Sequence, residues 1–133
     1  LTGWFDVLDN VQLTGNLTLL DSEDKSTGDD LAKTPDHTGN IGLDWKASDV
    51  VSANLAWQYV GSQVIKVPTR NSQAFTSKHY QTLDVNTNWT VTPALDFKLG
   101  ITNLTNTKRD EVATDADFIL EGRTVYAGVD YKL

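Results

Sequence analysis

Apolar residues in this chain recur at every second position within six separate segments. The positions between them hold mostly Asn, Asp, Gln, Ser, Thr and Lys. Successive side chains on a β-strand point to opposite faces, so a period of two predicts strands with one apolar and one polar face. The apolar positions are Val11, Leu13, Leu17, Leu19; Ile41, Leu43, Trp45; Val51, Ala53, Leu55, Trp57, Tyr59; Leu83, Val85, Trp89; Leu95, Phe97, Leu99, Ile101; and Val125, Ala127, Val129, Tyr131, Leu133.

The predicted strands are long for a soluble protein. Each has about ten residues, the length that a tilted strand needs to cross a bilayer, whereas soluble strands average about five or six. They span residues 11–20, 37–46, 51–60, 80–90, 94–104 and 122–133, and a further strand ends near Val7. We expect an all-β fold, an antiparallel up-and-down meander of about six to seven strands that is part of a transmembrane β-barrel.

The connections between these strands alternate between short turns and long polar loops. The turns lie near residues 8–10, 46–50 and 90–94, and the loops cover 21–36, 61–79 and 105–121. In a meander, alternate connections emerge at the same end, so all turns lie at one rim and all loops at the other. Outer-membrane barrels show this asymmetry.

Aromatic residues support the same interpretation. On the apolar face, Trp45, Trp89 and Tyr131 lie near the turns, while Trp57 and Tyr59 lie near the loops. Rings at both ends of the strands are typical of the two aromatic girdles of a membrane barrel. The alternative is that these rings pack in a soluble core.

Composition excludes several classes of protein. The chain has 133 residues, no Cys and no Met, a net charge of -7 and a pI near 4.5. It therefore has no disulfide or cysteine metal site, and its charge argues against a nucleic-acid partner. It lacks the run of about 18 apolar residues that a transmembrane helix needs. Because it starts at Leu1, we expect a piece of a longer protein.

Several short stretches, in this order and spacing, resemble one family over most of the chain. They are Thr34-Pro35-Asp36-His37, Asn40-Ile41-Gly42-Leu43-Asp44-Trp45, Tyr59-Val60-Gly61, Ile101-Thr102-Asn103-Leu104-Thr105-Asn106 and Gly122-Arg123-Thr124-Val125-Tyr126. The chain is identified as a member of the TonB-dependent outer-membrane receptors, of the ferric siderophore and colicin receptor type. Residues 1–133 would be the C-terminal portion of the barrel, without the plug domain and earlier strands. The family usually ends on an aromatic residue, whereas this chain ends at Leu133.

The resemblance implies a function and its partners. The full-length receptor would bind a ferric siderophore, of the catecholate type, at the bacterial outer membrane and import it with the TonB system. Outer-membrane lipid would surround the barrel. Loop residues suited to an anionic ferric chelate are cationic or can stack on catechol rings, and the alternative is that they are ordinary solvated loop residues. They are Lys66, Arg70, Phe75, Lys78, His79, Tyr80, Lys108 and Arg109.

Other sites receive less support. The acidic loop of Asp21, Glu23, Asp24, Asp29 and Asp30 could hold a divalent cation, but its spacing does not match a calcium loop, and a hydrated loop is the alternative. His37 and His79 are not at ligand spacing, and Arg123 has a structural place at the foot of the last loop. We expect no metal, no cofactor and no enzyme activity.

Two further hypotheses remain open beside the receptor. One is another small outer-membrane barrel of structural or adhesive role, closed by association of copies. The other is a soluble all-β binding module whose odd-numbered face packs on a second sheet. In isolation we expect the chain to self-associate, because its apolar stripes and open sheet edges would otherwise stay exposed.

Overall fold

The computed structural model describes residues 1–20, 34–66, 75–113 and 119–132, with the backbone alone at Lys66. Within these ranges the chain forms nine strands and one short helix. They are β1 Thr2–Leu8, β2 Val11–Leu19, β3 His37–Lys46, β4 Val51–Val60, β5 Gln63–Lys66, β6 Phe75–Ser77, β7 Tyr80–Thr92, β8 Leu95–Thr102, α1 Arg109–Val112 and β9 Thr124–Tyr131. No helix in these ranges is long and apolar enough to cross a membrane.

Seven of the strands form one antiparallel meander. The order is β1-β2-β3-β4-β7-β8-β9, so β1 and β9 are its two edges, while β5 and β6 form a separate hairpin. This confirms the predicted all-β meander. Three elements were not predicted: β5, β6 and α1 lie inside segments that the sequence pattern assigned to loops.

Strand register places the odd-numbered residues of all seven strands on one face. Leu43 pairs with Leu55, Leu55 with Val85, and Phe97 with Val129. Odd-numbered residues pair with odd-numbered residues throughout the meander. The two exceptions are register shifts next to turns, one in β1 after Asp6 and one in β7 after Thr90. A shift by one residue would have turned an apolar set to the opposite side. We call these sides the odd face and the even face.

The even face is polar and concave. One cavity of about 730 Å³ is lined by Asp6 on β1 and also by Tyr126 on β9, so the sheet curls with this face inside. Side chains here bond across neighbouring strands, for example from Asn54 Nδ2 to Asp44 Oδ1 at 2.8 Å. The sheet therefore has the curvature of a barrel wall with a hydrophilic interior.

One row of the even face joins three strands. Tyr126 on β9 is paired with Gly100 on β8, which is paired with Asn86 on β7. The Tyr126 ring lies over Gly100, where a Cβ would overlap it, and its hydroxyl donates to Asn86 Oδ1. Gly100 is consequently buried although it has no side chain.

The odd face is apolar and largely exposed. Leu99 is 54% and Val129 57% exposed, which is far from a packed interior. At the end of the sheet with the tight turns, Trp89 and Phe97 contact each other with ring centroids 6.4 Å apart. We call that end the short-turn rim and the opposite end the long-loop rim. The predicted sorting of turns and loops between the two ends is observed.

Candidate functional site

The buried core of the described residues is small and lies mainly at the long-loop rim. Its members come from two different loops: Ile65 on the β5–β6 hairpin, and Val112 and Ala113 at the end of α1, each no more than 5% exposed. We call these three residues the loop core. A backbone hydrogen bond of 2.8 Å from Lys78 N to Val112 O adds to the contact. The two loops are therefore packed against each other.

Helix α1 is a single turn whose position follows from one buried residue. Val112 is its only buried side chain. Lys108 N donates to Glu111 Oε2 at 3.2 Å at the start of the turn, and Ala113 N donates to Arg109 O at 2.7 Å at its end. These bonds satisfy backbone groups at both ends of the turn. With Val112 turned inward, Lys108 and Arg109 are exposed at the surface.

The loop after β8 is held by Asn103. Its backbone has φ 50°, a left-handed conformation that Asn tolerates better than most residues. Its Nδ2 donates to Thr107 O at 2.9 Å and Glu121 O at 2.8 Å, and its Oδ1 accepts from Thr107 N and Thr105 Oγ1, each at 3.0 Å. The side chain is 5% exposed and uses four hydrogen bonds to join both ends of this loop.

The same loop is also tied to the neighbouring strand. Thr107 Oγ1 donates to Gln81 O at 2.7 Å, and Leu104 N donates to Leu83 O at 2.6 Å. Asn106, with φ 55°, accepts from Arg123 N at 3.1 Å. The stretch from Asn103 to Asn106, which precedes α1, is therefore held by hydrogen bonds to β7 and to the end of the same loop. The backbone of Arg123, where this last loop ends, takes part in one of these bonds.

Four of the predicted ligand-binding residues lie exposed around these two loops. Phe75 begins β6 opposite Lys66, and Lys78 follows β6 next to Val112. Lys108 and Arg109 come from the other loop. The fold thus brings the backbone of Lys78 to the end of the helix turn that begins at Arg109, about 30 positions later in the sequence. Arg70 lies outside the described residues, as does the side chain of Lys66.

The two remaining predicted residues have other surroundings. The His79 ring is stacked on Tyr59, with centroids 5.9 Å apart, and Tyr80 is half-buried against the loop core. Their proposed contact with a ligand stays a prediction. Sequence reasoning did not connect His37 with His79, although both stack on Tyr59. Only the strand register, which the sequence pattern does not specify, could have revealed this.

Sequence analysis left a divalent cation site open in one loop at this rim. The acidic loop from Asp21 to Asp30 lies outside the described residues. In the part of the chain that the structure describes, His, Asp and Glu side chains form no group that could hold a metal ion. Lys78, Lys108 and Arg109 are exposed, and ammonium and guanidinium groups bind anions through directed N–H donors. That they bind a ligand stays a prediction.

Comparison with known proteins identifies the architecture. The family model described as TonB dependent receptor-like, beta-barrel matches residues 1–104. The chain is 24% identical over 140 aligned residues to a probable TonB-dependent siderophore receptor, PirA, of Acinetobacter baumannii. It is 30% identical over 105 residues to the ferrienterobactin receptor of Escherichia coli. The crystal structure of PirA superimposes with a TM-score of 0.84 at 24% identity, which shows a shared fold.

The matches cover most of this chain but little of each relative. They include 92% of the chain and 19% of PirA, and 74% of the chain and 14% of the ferrienterobactin receptor. In the superposition, 98% of the chain corresponds to 21% of the PirA chain. The chain thus spans about a fifth or less of the length of the curated relatives it matches.

Proposed function

Because this chain belongs to the TonB-dependent receptor-like β-barrel family, we propose that it forms the C-terminal wall of an outer-membrane receptor that takes up ferric siderophores. In this proposal the rest of the receptor supplies the plug and the remaining strands, and the TonB system supplies the energy. The chain contributes binding surface and barrel wall, with no catalytic role. The family assignment also favours this hypothesis over another small barrel or a soluble module.

The observation that carries the proposal is the meeting of two loops at the loop core. The Lys78 N to Val112 O hydrogen bond joins Lys78 to the end of α1, so one cationic residue lies next to the helix turn that carries another, Arg109. The whole chain has a net charge of -7, and an anion would be repelled by most of its surface. Lys78, Lys108 and Arg109 are therefore the donors that this surface offers to an anionic chelate, with the carboxylates of Asp110 and Glu111 beside them on α1.

A catecholate siderophore fits this surface best. Its ferric complex is anionic and presents aromatic rings edged by oxygen atoms. Guanidinium and ammonium groups bind such oxygens, and the exposed Phe75 ring at the start of β6 offers an apolar contact for a catechol ring. The similarity to a ferrienterobactin receptor supports the same class of ligand.

The dimensions of the apolar band support placement across an outer membrane. Val51 and Tyr59 on β4 are about 27 Å apart along the strand, at about 3.4 Å per residue. With a tilt of about 40° this corresponds to roughly 21 Å of membrane thickness, close to the band of about 25 Å in outer-membrane barrels. In this orientation the long-loop rim faces outward, where a siderophore arrives.

Binding measurements on the protein that carries this chain test the proposal. Quenching of tryptophan fluorescence would be titrated with an anionic ferric tris-catecholate and with an uncharged ferric tris-hydroxamate. We expect the Lys108→Gln/Arg109→Gln double variant to bind the catecholate about tenfold more weakly, since each lost charged hydrogen bond costs about 1.5–3 kcal/mol in a dry site and less at a wet one.

Lys46→Gln is the matched control for charge. Lys46 is exposed at the short-turn rim and pairs only with the exposed Asp49, at 3.7 Å, among the described residues. The Lys46→Gln variant should therefore bind both ferric chelates as tightly as the wild-type protein does. The proposal would be wrong if the wild-type protein bound neither chelate, or if both variants weakened binding equally.

A further inference from the structure

A groove crosses the odd face of the sheet over β1, β2 and β3 and reaches β4. Its volume is about 650 Å³. Three glycines at odd-numbered positions, Gly3, Gly15 and Gly39, form its floor, and we call it the glycine groove. Its walls are aliphatic and aromatic side chains of the same face: Phe5, Leu13, Leu17, Ile41, Trp57 and Tyr59.

The strand register brings the three glycines together. Gly3 pairs with Gly15, and Gly15 pairs with Ile41. Gly39 lies two residues before Ile41 on β3, so it is a diagonal neighbour of Gly15 on the same face. Side chains are therefore missing at adjacent positions of three strands. The odd positions of β7, β8 and β9 contain no glycine, and no such recess is expected there.

The packing of the chain itself does not require these three glycines. A Cβ added at Gly3 would meet no atom within 4 Å, and at Gly15 or Gly39 its nearest neighbour would be a backbone oxygen at 3.8 or 3.6 Å, an ordinary contact. None of the three has a φ in the left-handed region. Gly100 on the even face differs, because the Tyr126 ring occupies the space of its missing side chain. Glycine inside a strand weakens it and often marks a place where a ligand approaches the backbone.

The chemistry of the glycine groove suits a hydrocarbon. Among the described residues, no Asp, Glu, Lys or Arg lines it. The polar atoms of its two aromatic walls on β4 already have partners. Trp57 Nε1 donates to Gln81 Oε1 at 3.1 Å, and the Tyr59 hydroxyl lies 3.4 Å from His37 Nε2. These walls offer a polar ligand no free donor, and an apolar recess holds water poorly.

The position of the groove indicates what covers it. Gly15, Ile41 and Trp57 form one row across the sheet, two residues or about 7 Å along the strand from Tyr59. Tyr59 is at the outer end of the apolar band, so in the proposed orientation the groove lies in the outer half of the membrane. It is continuous with the surface that meets lipid, where acyl chains are the neighbours.

We propose that the glycine groove binds an acyl chain of a membrane lipid and does so without selecting the headgroup. The chain lies against the backbone of the three glycines, with Trp57 and Tyr59 along one side. Lipid tails elsewhere on the odd face are in equally apolar surroundings. The gain at the groove is therefore the larger number of van der Waals contacts that a recess makes with a chain. This inference rests on the membrane orientation of the proposed function but not on the ligand of the receptor.

Lipid retention by the protein that carries this chain tests the inference. The protein in detergent would be mixed with phosphatidylethanolamine or phosphatidylglycerol of identical acyl chains, and native mass spectrometry would count the lipids retained. We expect the wild-type protein to retain both lipids alike. In Gly15→Leu the new side chain fills the floor of the groove, and we expect about tenfold lower occupancy.

Tryptophan fluorescence locates the retained lipid. Phosphatidylcholine with dibrominated acyl chains quenches a tryptophan that it contacts, and the difference between the wild-type protein and Trp57→Phe isolates the signal of Trp57. With equimolar lipid in detergent, we expect Trp57 to be quenched and Gly15→Leu to abolish this quenching. Trp89, at the short-turn rim and isolated in the same way by Trp89→Phe, should stay unquenched because detergent covers the rest of the odd face.

Two further variants serve as controls. Ala127→Leu adds a similar side chain on the odd face of β9, at an exposed position outside the groove, and should leave lipid retention unchanged. Gly3→Ala places a methyl group where no atom lies within 4 Å, so it should fold normally and lower retention partly. It covers the case in which Gly15→Leu does not fold.

Equal lipid retention by the wild-type protein and the folded glycine variants would overturn the inference, as would quenching of Trp57 that persists in Gly15→Leu. A groove filled by a side chain from the rest of the receptor or from a second protein would give the first of these results. The assay contains no ferric chelate. A protein that binds the chelate but retains lipid equally in all variants would leave the proposed function standing and this inference refuted.

Discussion

At the scale of single residues, Asn103 shows how one side chain can fix the conformation of a loop by hydrogen bonds. It closes a loop of the long-loop rim by four side-chain hydrogen bonds while its own backbone is in a left-handed conformation. Buried amides are costly unless their donors and acceptors are used. Here both donors and the acceptor oxygen are used, so the residue specifies the loop conformation as well as stabilising it.

Replacing Asn103 with glycine should destabilise the protein strongly. Glycine keeps the positive φ without strain, so the loss comes from the side-chain bonds and from the greater backbone entropy of glycine in the unfolded chain. Four bonds at about 0.5–1.5 kcal/mol each suggest a decrease of about 2–6 kcal/mol in the free energy of unfolding. Urea unfolding in detergent, followed by tryptophan fluorescence, would measure it.

Asn106→Gly is the matched control for this change. Asn106 also has a positive φ, at 55°, and its side chain accepts a hydrogen bond from Arg123 N. We expect a decrease of about 1 kcal/mol. Equal effects of the two substitutions would contradict the role assigned to Asn103.

At the scale of elements, the strands of the meander could be predicted and the loop elements could not. The period of two in segments such as Val51 to Tyr59 is a direct consequence of strand geometry, and it predicted six of the seven strands of the sheet to within a few residues. For β1, Thr2–Leu8, the sequence predicted only an end near Val7. β5 and β6 have four and three residues, too few for a period to be visible. Helix α1 exists because Val112 packs on Ile65, a contact between distant segments.

The candidate site was predicted in the same uneven way. Lys78, Lys108 and Arg109 could be proposed from the sequence because cations in long loops are visible there. The hydrogen bond from Lys78 N to Val112 O could not be predicted, because it depends on how two loops fold together. The convergence of His37 and His79 depends likewise on the register of β3, β4 and β7.

Shortening Val112 tests whether the two loops form one structural unit. Val112→Ala removes two carbons from the loop core, a loss of about 1.5 kcal/mol. We expect about tenfold faster amide hydrogen exchange in α1 and, importantly, in the β5–β6 hairpin of the other loop. Exchange measured by mass spectrometry on peptides from both loops would show this.

Ile119→Ala provides the comparison for this experiment. Ile119 belongs to the same β8–β9 connection as Val112 but is 83% exposed. It should leave exchange in both loops unchanged. If Val112→Ala accelerated exchange in α1 and left the hairpin as it was, the two loops would be independent.

At the scale of the whole molecule, the surface is unlike that of a soluble monomer. Large hydrophobic side chains such as Leu99, Val125, Val129 and Tyr131 are exposed across the odd face. Soluble proteins rarely expose apolar patches beyond a few hundred Å². In a soluble protein such residues would form a buried core. In the described parts of this sheet, Val60 is the one large hydrophobic residue that is buried. The arrangement suits a wall between lipid and a polar interior.

The chain of residues 1–133 on its own should therefore self-associate in water. Its two edge strands, β1 and β9, have backbone groups available for pairing, and β1 also exposes Trp4 and Phe5 at 71% and 67%. Multi-angle light scattering is expected to give a mass of two or more chains, and detergent should reduce it. A monodisperse particle of one chain without detergent would contradict this prediction.

The number of strands in the meander has a further consequence, which concerns parity. Seven antiparallel strands leave the first and the last running in the same direction. Two copies inserted in the same orientation would thus meet β1 to β9 as parallel neighbours, at both seams. Antiparallel seams would require the copies to be inverted, with long loops on both sides of the membrane. A closed barrel that is antiparallel all around must therefore join this sheet to an odd number of other strands, of which the first and the last run opposite to β1 and β9. A second copy in the same orientation has the right number of strands but the wrong direction at both edges.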